Sequence, residues 1–389
     1  MNLIEINTTQ DKKDFLKVPL IIYKNDKNWI RPLDKDIEDV FDKGKNKYFL
    51  HGEVSRWLLK DEKGNLIGRV ASFINKKNTD ANNQPTGGMG FFECINDKNA
   101  AFLLFDTCKK WLRQKGMEAM DGPVNFGEKD RWWGLLVDGF FESVYGMSYN
   151  PPYYRGFFEE YGFKTYYQQF YYLYKVCWKI PEKYREKSDR IAKNPDYHSE
   201  HLCKKNLRKY MDDFRSVYNK AWGRHPGFKE ISKEQAWTIM LSIKPVMDEN
   251  IIWFTYYKEE PIAFFVMLPE MNQIFKHINN GKLGLSEKIL FAWYRWRGVC
   301  RKMYSVVFGV VPRFQGRGVE GHLITAAARH IQSMNKYDDF EMTWVGDFNP
   351  RVIHLVESLG AQKIRTGVVY RKLFDETKPF TRAPVMVNG

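Results

Sequence analysis

Cysteine is sparse and unpaired in this chain. Cys94, Cys108, Cys177, Cys203 and Cys300 are odd in number and form no C-x-x-C pair. That excludes a disulfide framework and points to a reducing compartment. Long apolar runs are missing: no stretch approaches a membrane span. The opening Met-Asn-Leu-Ile-Glu-Ile-Asn has no basic region followed by an apolar one, so no signal peptide is expected and the cytoplasm is the default location. Metal-ligand patterns are nearly absent. His198-Ser-Glu-His201-Leu-Cys203 lacks a second ligand pair, and no metal is expected. Acidic residues are the minority sign, 47 against 61 basic, for a net charge of +14. Nucleic acid, an anionic membrane surface, or an anionic cofactor and substrate would each suit that charge. The lysines are scattered, with no basic tail and no zinc-finger or RNA-binding signature, so nucleic acid is not expected and solvation by lysine is the plainest account.

What is present is length and aromatic content. A chain of 389 residues allows one large or two medium domains, and 16% aromatic residues argue against disorder. Val18 to Tyr23 reads as strand-like and Asp36 to Phe41 as helical. Trp57 to Leu59 and Leu66 to Ile74 read as a hairpin, followed by a loop from Asn78 to Gly90. Then come a strand at Phe91 to Cys94, a helix over Ala100 to Gln114, a strand at Met117 to Met120, a helix over Pro151 to Tyr161 and a strand over Tyr166 to Trp178.

The second half repeats that order. A hairpin over Ile252 to Leu268 turns at Lys258 to Glu260, and Met303 to Val311 is a dense apolar strand stopped by Pro312. Leu323, Ile324, Ala327 and Ile331 recur at helical spacing. Phe340 to Gly346 is a strand, Arg351 to Leu359 a helix stopped by Gly360, and Ile364 to Leu373 a strand. Pro152 and Pro350, Glu159 and Glu357, and Gly162 and Gly360 each differ by 198 positions, which indicates a duplication.

Between the strand ending at Val311 and the following helix lies Pro-Arg-Phe-Gln-Gly-Arg-Gly-Val-Glu-Gly. Glycines that let the backbone approach, unpaired N–H groups and a helix N-terminus make this a place to hold a pyrophosphate. It is neither a Walker loop nor a G-x-G-x-x-G fingerprint. It resembles the acetyl-CoA loop of the GNAT acyltransferases, Q/R-x-x-G-x-G/A after a strand ending in V-x-P. The match places Gln315 and Gly318, with Glu320 where that family usually has Gly or Ala; a register through Arg313, Gly316 and Gly318 also satisfies the pattern. Asn349 followed by an apolar helix and Leu359-Gly360-Ala361 resembles the last GNAT segment. Phe91 to Cys94, Gly122 to Phe126, Leu135 to Phe140, Tyr149 to Tyr154 and Val310 to Gly318 together look like a family of bacterial tandem GNAT proteins of about this length.

The resemblance implies an α/β (α+β) fold of two GNAT-like domains in tandem, each a mixed, mostly antiparallel sheet flanked by helices. The expected division is a degenerate N-terminal domain over 1–178, a charged helical or extended linker over 179–206 and a C-terminal domain over 207–389. Ile95 to Ala100 has no glycine and reads as an ordinary helix start, so one CoA site is expected, in the C-terminal half. It comprises Val310, Val311, Arg313, Gln315, Gly316, Arg317, Gly318, Val319, Glu320 and Gly321, with Asn349 near the pantetheine arm.

The chemistry so implied is direct attack of an amine on an acetyl- or acyl-CoA thioester, CoA being a co-substrate rather than a resident cofactor. The N–H of Val310 or Val311 would polarise the carbonyl. Val356 stands where the family's thiolate-protonating Tyr is usual, so Tyr370 or water must serve. Asp347, Glu341 or Glu320 would be the base. Asp347 ranks first for its place past the strand end, though an N-cap is an equal reading. The long aromatic stretch from Gly122 to Tyr154 covers the acceptor cleft or packs the domain interface, with Asn125, Arg131, Tyr149, Asn150 and Tyr153 as polar contacts on the former reading. Ser286 to Tyr304 is a basic, Trp-bearing segment suited either to peripheral membrane contact or to packing. The acceptor is expected to be a small-molecule or lipid-like amine and the protein a monomer or homodimer. An aminoacyl-tRNA-dependent transferase and a non-catalytic CoA-binding module are the alternatives.

Overall fold

The computed structural model describes residues 1–77, 84–223, 230–278 and 280–386. The first half runs β1 (Asn2–Glu5), α1 (Thr9–Ile22), α2 (Asp34–Val40), β2 (Gly52–Lys60), β3 (Leu66–Asn75), β4 (Thr86–Cys94), α3 (Lys98–Gln114), β5 (Ala119–Gly122), β6 (Leu135–Asp138), α4 (Tyr154–Glu160) and β7 (Lys164–Lys175). The second runs α5 (Glu182–Ala192), β8 (Tyr197–His201), α6 (Leu207–Trp222), α7 (Lys233–Ile243), β9 (Ile252–Tyr257), β10 (Glu260–Pro269), α8 (Asn272–Ile278) and α9 (Leu285–Trp296). It ends with β11 (Lys302–Val310), α10 (Val319–Met334), β12 (Asp339–Gly346), α11 (Pro350–Ser358) and β13 (Gln362–Leu373).

Two expectations need correction. Val18 to Tyr23 is helical. A capping box, in which Thr8 accepts from the Asp11 N–H and Asp11 from the Thr8 N–H, starts α1 and carries it through the apolar residues. The expected loop from Asn78 is a strand from Thr86 onward, while residues 78–83 lie outside the described residues. Its glycines let side chains lie flat on β4: a Cβ at Gly88 would meet the Phe73 ring at 2.1 Å. The segment 179–206, expected to be helical or extended, holds a helix and a strand: α5 packs on α10, and β8 pairs antiparallel with β9 from Tyr197↔Tyr257 to His201↔Trp253.

Thirteen strands among the described residues form one sheet in the order β1-β2-β3-β4-β5-β13-β7-β12-β11-β10-β9-β8, with β6 on β13. The order discloses an exchange. Each half ends in a long strand that does not pair with its own fifth strand: β13 pairs with β5, and β7 with β12. The two exchanged strands pair with each other in the middle of the sheet. Side chains repeat the exchange. Tyr370 on β13 donates to Glu159 of α4 at 3.1 Å, and Tyr172 on β7 donates to Glu357 of α11 at 3.0 Å. These two tyrosines are again 198 positions apart. The cores follow suit: Val368, Tyr370 and Phe374 complete the first-half core with Phe105, Phe158 and Leu104, while Tyr172 packs with Val345 and Val356 of the second.

Candidate functional site

In each half one pair of parallel strands meets over three residues and then parts. The first pair is β4 and β5, from Thr86↔Ala119 to Gly88↔Asp121; the second is β11 and β12, from Lys302↔Asp339 to Tyr304↔Glu341. The second pair parts because both strands bulge. Val306 is an extra residue opposite β10, and β12 shifts register against β7 around Trp344, whose φ is +42°. The last bridge between them is Thr343, whose Oγ1 donates to Ser305 O at 2.9 Å.

The two gaps differ in content. Between β4 and β5 the chain fills its own gap: the Val124 N–H donates to Met89 O at 2.8 Å, and Gly90 is so close to Val124 that a Cβ there would meet its carbonyl oxygen at 1.8 Å. Phe126 behind it is 1% exposed. Between β11 and β12 lies a cavity of about 350 Å³. Its walls are apolar, including Val307, Phe308, Met342 and Val345 of the strands, Ile324 and Ala328 of α10, and Val356 of α11, with Trp222, Phe348 and Met386 also on the lining.

At the far end of β11 the ladder decides which amides are available. The Val311 N–H donates to Ile262 O at 2.9 Å, so Val311 cannot polarise a carbonyl. Strand alternation then turns the N–H groups of Val310 and Phe308 away from β10, toward the gap. Beyond Pro312, Gly316 and Gly318 have φ of +71° and +93°, a backbone that glycine takes without strain. Gln315 Nε2 donates to Val310 O at 2.9 Å. Arg313 pairs with Glu260 and lies over the Phe314 ring, while Arg317 is exposed with no ion-pair partner among the described residues. The Glu320 carboxylate accepts from the Gly316 N–H at 3.1 Å, an internal anion at the loop.

The other side of that loop is covered by α5. A Cβ at Gly318 would lie 3.2 Å from Ile191, and one at Gly321 3.1 Å from the Tyr184 ring; Val319 is fully buried. The Tyr184 hydroxyl pairs with Ser358 of α11, so α5 bridges α10 and α11, and Ile180 just before α5 lines the cavity. Lys187 also lies beside Gly318. The spacing of Tyr184, Ser188 and Ile191, its buried residues, marks this helix within the segment expected to be helical or extended.

The remaining candidates divide. Asn349 lines the cavity and caps α11, its Oδ1 accepting from Val352 N–H at 3.3 Å. Asp347 is therefore not the cap; it pairs with Arg382 beside the cavity-lining Gly346 and Phe348. Tyr370 is excluded as the acid of this site. Strand exchange carries β13 into the first half, where Tyr370 is 2% exposed against Phe158 and bound to Glu159. Three of the polar residues named for the acceptor serve the first half instead. Asn150 holds both backbone groups of Leu136, Tyr149 donates to Asp26, and Tyr153 donates to Cys94 O. Tyr149 and Asn150 line a smaller cavity there, of about 120 Å³. Asn125 is buried, and Arg131 lies 3.7 Å from Asp36.

The aromatic stretch does cross to the second half. Glu270 accepts from Tyr145 N–H at 2.9 Å and from the N–H groups of Asn272 and Gln273, and Asn272 donates to Ser143 O. Burial, only partly offset by those N–H donors, pushes the Glu270 carboxyl up to about 7. Beside it Glu341, with no exposure, accepts from Lys302 Nζ at 3.1 Å and lies 3.9 Å from Arg365. No group of three or more His, Cys, Asp or Glu side chains among the described residues could hold a metal.

No family model matches this chain. It is 27% identical over 390 residues to a protein named bacterial ceramide synthase from Caulobacter vibrioides, covering 96% of this chain and 97% of that one. It is 23% identical over 375 residues to the protein YghO of Escherichia coli, covering 93% of each. Among solved structures it superposes on a tandem GNAT protein from the clavulanic acid biosynthesis pathway with a TM-score of 0.55 and 8% identity, covering 97% of this chain and 99% of that one. A glucosamine N-acetyltransferase region in a fungal multi-domain β-N-acetylglucosaminidase gives the same TM-score at 13% identity; this chain spans 38% of that longer protein. With two splayed parallel pairs, a duplicated strand order and a glycine loop leading into α10, the chain has the tandem GNAT fold.

Proposed function

We propose that this protein is an acyl-CoA-dependent N-acyltransferase that places a long acyl chain on a lipid-like primary amine. The observation that carries the reading is the apolar cavity of about 350 Å³ at the parting of β11 and β12, with its counterpart in the first half filled by Val124. An acetyl group needs no such room, whereas each methylene of a longer chain buried there would contribute about 0.8 kcal/mol. The name of the Caulobacter relative supports the same class, a ceramide being an amide of a fatty acid and a long-chain amino alcohol.

In this reading Gly316 to Gly318 and the first turn of α10 receive the diphosphate, with Arg317 and Lys187 supplying positive charge. The N–H of Val310 or Phe308 donates to the thioester oxygen. The amine nitrogen attacks the carbonyl carbon, its proton passes to Asp347, the C–S bond breaks, and the thiolate takes its proton from water. Asp347 suits the base better than Glu341 because it stands partly exposed at the rim, while Glu341 is sealed from solvent. CoA binding without turnover is favoured by one observation: Val356, at the position the resemblance gives to the thiolate-protonating Tyr, is a buried apolar residue on the cavity wall.

The test supplies the purified protein with acyl-CoA esters of graded length and a long-chain amino alcohol, and follows free thiol and amide mass. Release of CoA with amide formation that rises with chain length is expected. Replacing Ala328, a small residue on the cavity wall, by Trp should cut use of the long esters by about a hundredfold, equivalent to about 3 kcal/mol. Retention of CoA esters with no amide formed on any amine would establish the non-catalytic reading instead.

A further inference from the structure

Between β10 and β11 the second half carries α8 and α9, where the first half joins β3 to β4 without a helix among the described residues. In α9 the usual arrangement is inverted. It has no buried residue. Phe291 and Tyr294 turn inward to stack on Phe275 and His277 of α8, and Arg295 donates to Pro245 O and Met247 O. Outward, Leu285 is 79% exposed, Ile289 64%, Trp293 45% and Trp296 81%. Spaced four, four and three apart, these form one stripe along the helix. Solvent alone does not favour such a stripe on a well-anchored helix.

The surrounding charge indicates what covers it. From Lys282 to Arg297 there are four basic residues and one acidic, Glu287. Glu287 is engaged by Asn280, and Lys282 and Lys288 have no acidic partner among the described residues. Lys288 stands exposed at the edge of the stripe, and Arg297 lies 5.2 Å over the Trp293 ring. Apolar side chains with tryptophans on one arc and cations at its edge match the boundary between anionic headgroups and acyl chains. No helix among the described residues is long and apolar enough to cross a membrane.

We propose that α9 is a docking element that lies in the plane of an anionic lipid surface, seating Leu285, Ile289, Trp293 and Trp296 among the acyl chains. It deepens the acyltransfer reading, in which a lipid-like amine would be collected at that surface. It is measured without acyl-CoA, so either can fail while the other stands.

The experiment floats the full chain with vesicles of phosphatidylcholine alone or mixed with phosphatidylglycerol. Wild type should rise with the anionic vesicles and lose binding as salt is raised. Ile289→Ser with Trp296→Ser should weaken binding about tenfold, and Lys282→Glu with Lys288→Glu by a similar factor. Both pairs are exposed, so their unfolding midpoints should match wild type. Equal flotation of the Ile289/Trp296 variant, or no flotation of wild type with anionic vesicles, overturns the proposal. So does a wild-type dimer that the same variant dissolves, because a second copy would then be the cover.

Discussion

Glu320 is the residue on which anion binding at the glycine loop turns. Its carboxylate takes a backbone N–H that a diphosphate would otherwise use, and its charge opposes the incoming one. Glu320→Gln keeps an acceptor for Gly316 and removes the charge. CoA should then bind several-fold tighter, a gain of about 1 kcal/mol, read by calorimetric titration; an unchanged dissociation constant would show that the diphosphate sits elsewhere. Glu270 is the second decisive residue. Its folded carboxyl, pushed up to about 7, keeps a proton that the unfolded chain releases near its ordinary 4.5. Between those values the native state binds more protons, so stability falls as pH rises through the window, by about 3 kcal/mol at most. Denaturant unfolding of wild type should show that decline between pH 5 and 7.5, and Glu270→Gln should flatten it. Asp248 has the opposite sign. Burial would raise it, but hydrogen bonds from Lys336, Tyr337 and Asn250 outweigh burial and hold it at about 2. Its stabilising contribution is therefore lost only as pH falls below about 4.

At the scale of elements, α5 is both a wall and an obstacle. Ile191 and Tyr184 pack it over Gly318 and Gly321, Ile180 just before it lines the cavity, and its fastening to α11 is the Tyr184 to Ser358 contact. Two further links tie it to α10, Ser188 to His322 at 3.3 Å and Asp189 to Arg329 at 2.9 Å. If acyl-CoA enters past Gly318 and Gly321, α5 must yield. Tyr184→Phe keeps the ring against Gly321 and removes the hydroxyl; Ser358→Ala removes its partner. Each should raise the association rate of acyl-CoA by about threefold to tenfold, as loss of a hydrogen bond near 1 kcal/mol allows. Stopped-flow binding reads the rate. A rate that does not move in either variant would mean that entry is by another route.

For the whole molecule the consequence of strand exchange is cooperativity. The first-half core is closed by β13, the last strand of the chain, and β7 is bound to β12, so neither half holds a complete sheet of its own. Urea unfolding followed by tryptophan fluorescence and by circular dichroism should give one coincident transition. A chain ending at residue 178 should fail to fold, because β5 would lack its neighbour β13 and Phe158 its contact with Tyr370. Two separated transitions would contradict this account. Tyr172→Phe and Tyr370→Phe, which remove equivalent bonds in opposite halves, should each cost about 1 kcal/mol.

Much of this was legible from residue order. The strand before Pro312, the helix after Gly318 and the helix that Gly360 stops depend on neighbours in the chain, and periodicity and stop residues report neighbours, although the cap of that last helix is Asn349 and not Asp347. The missing glycine at the start of α3 also distinguished the halves by local means alone. What no local signal carries is pairing between distant strands. Tyr370 was placed near the wrong cleft because a strand's partner depends on the burial of whole faces, and here the exchange moves β13 into the other half. Val311 fell on the wrong side of its strand for a related reason, since ladder direction is set by β10. Filling of the first gap by Val124, covering of the glycine loop by α5, and exposure of the apolar stripe on α9 are likewise decisions of packing, made among residues far apart in the chain.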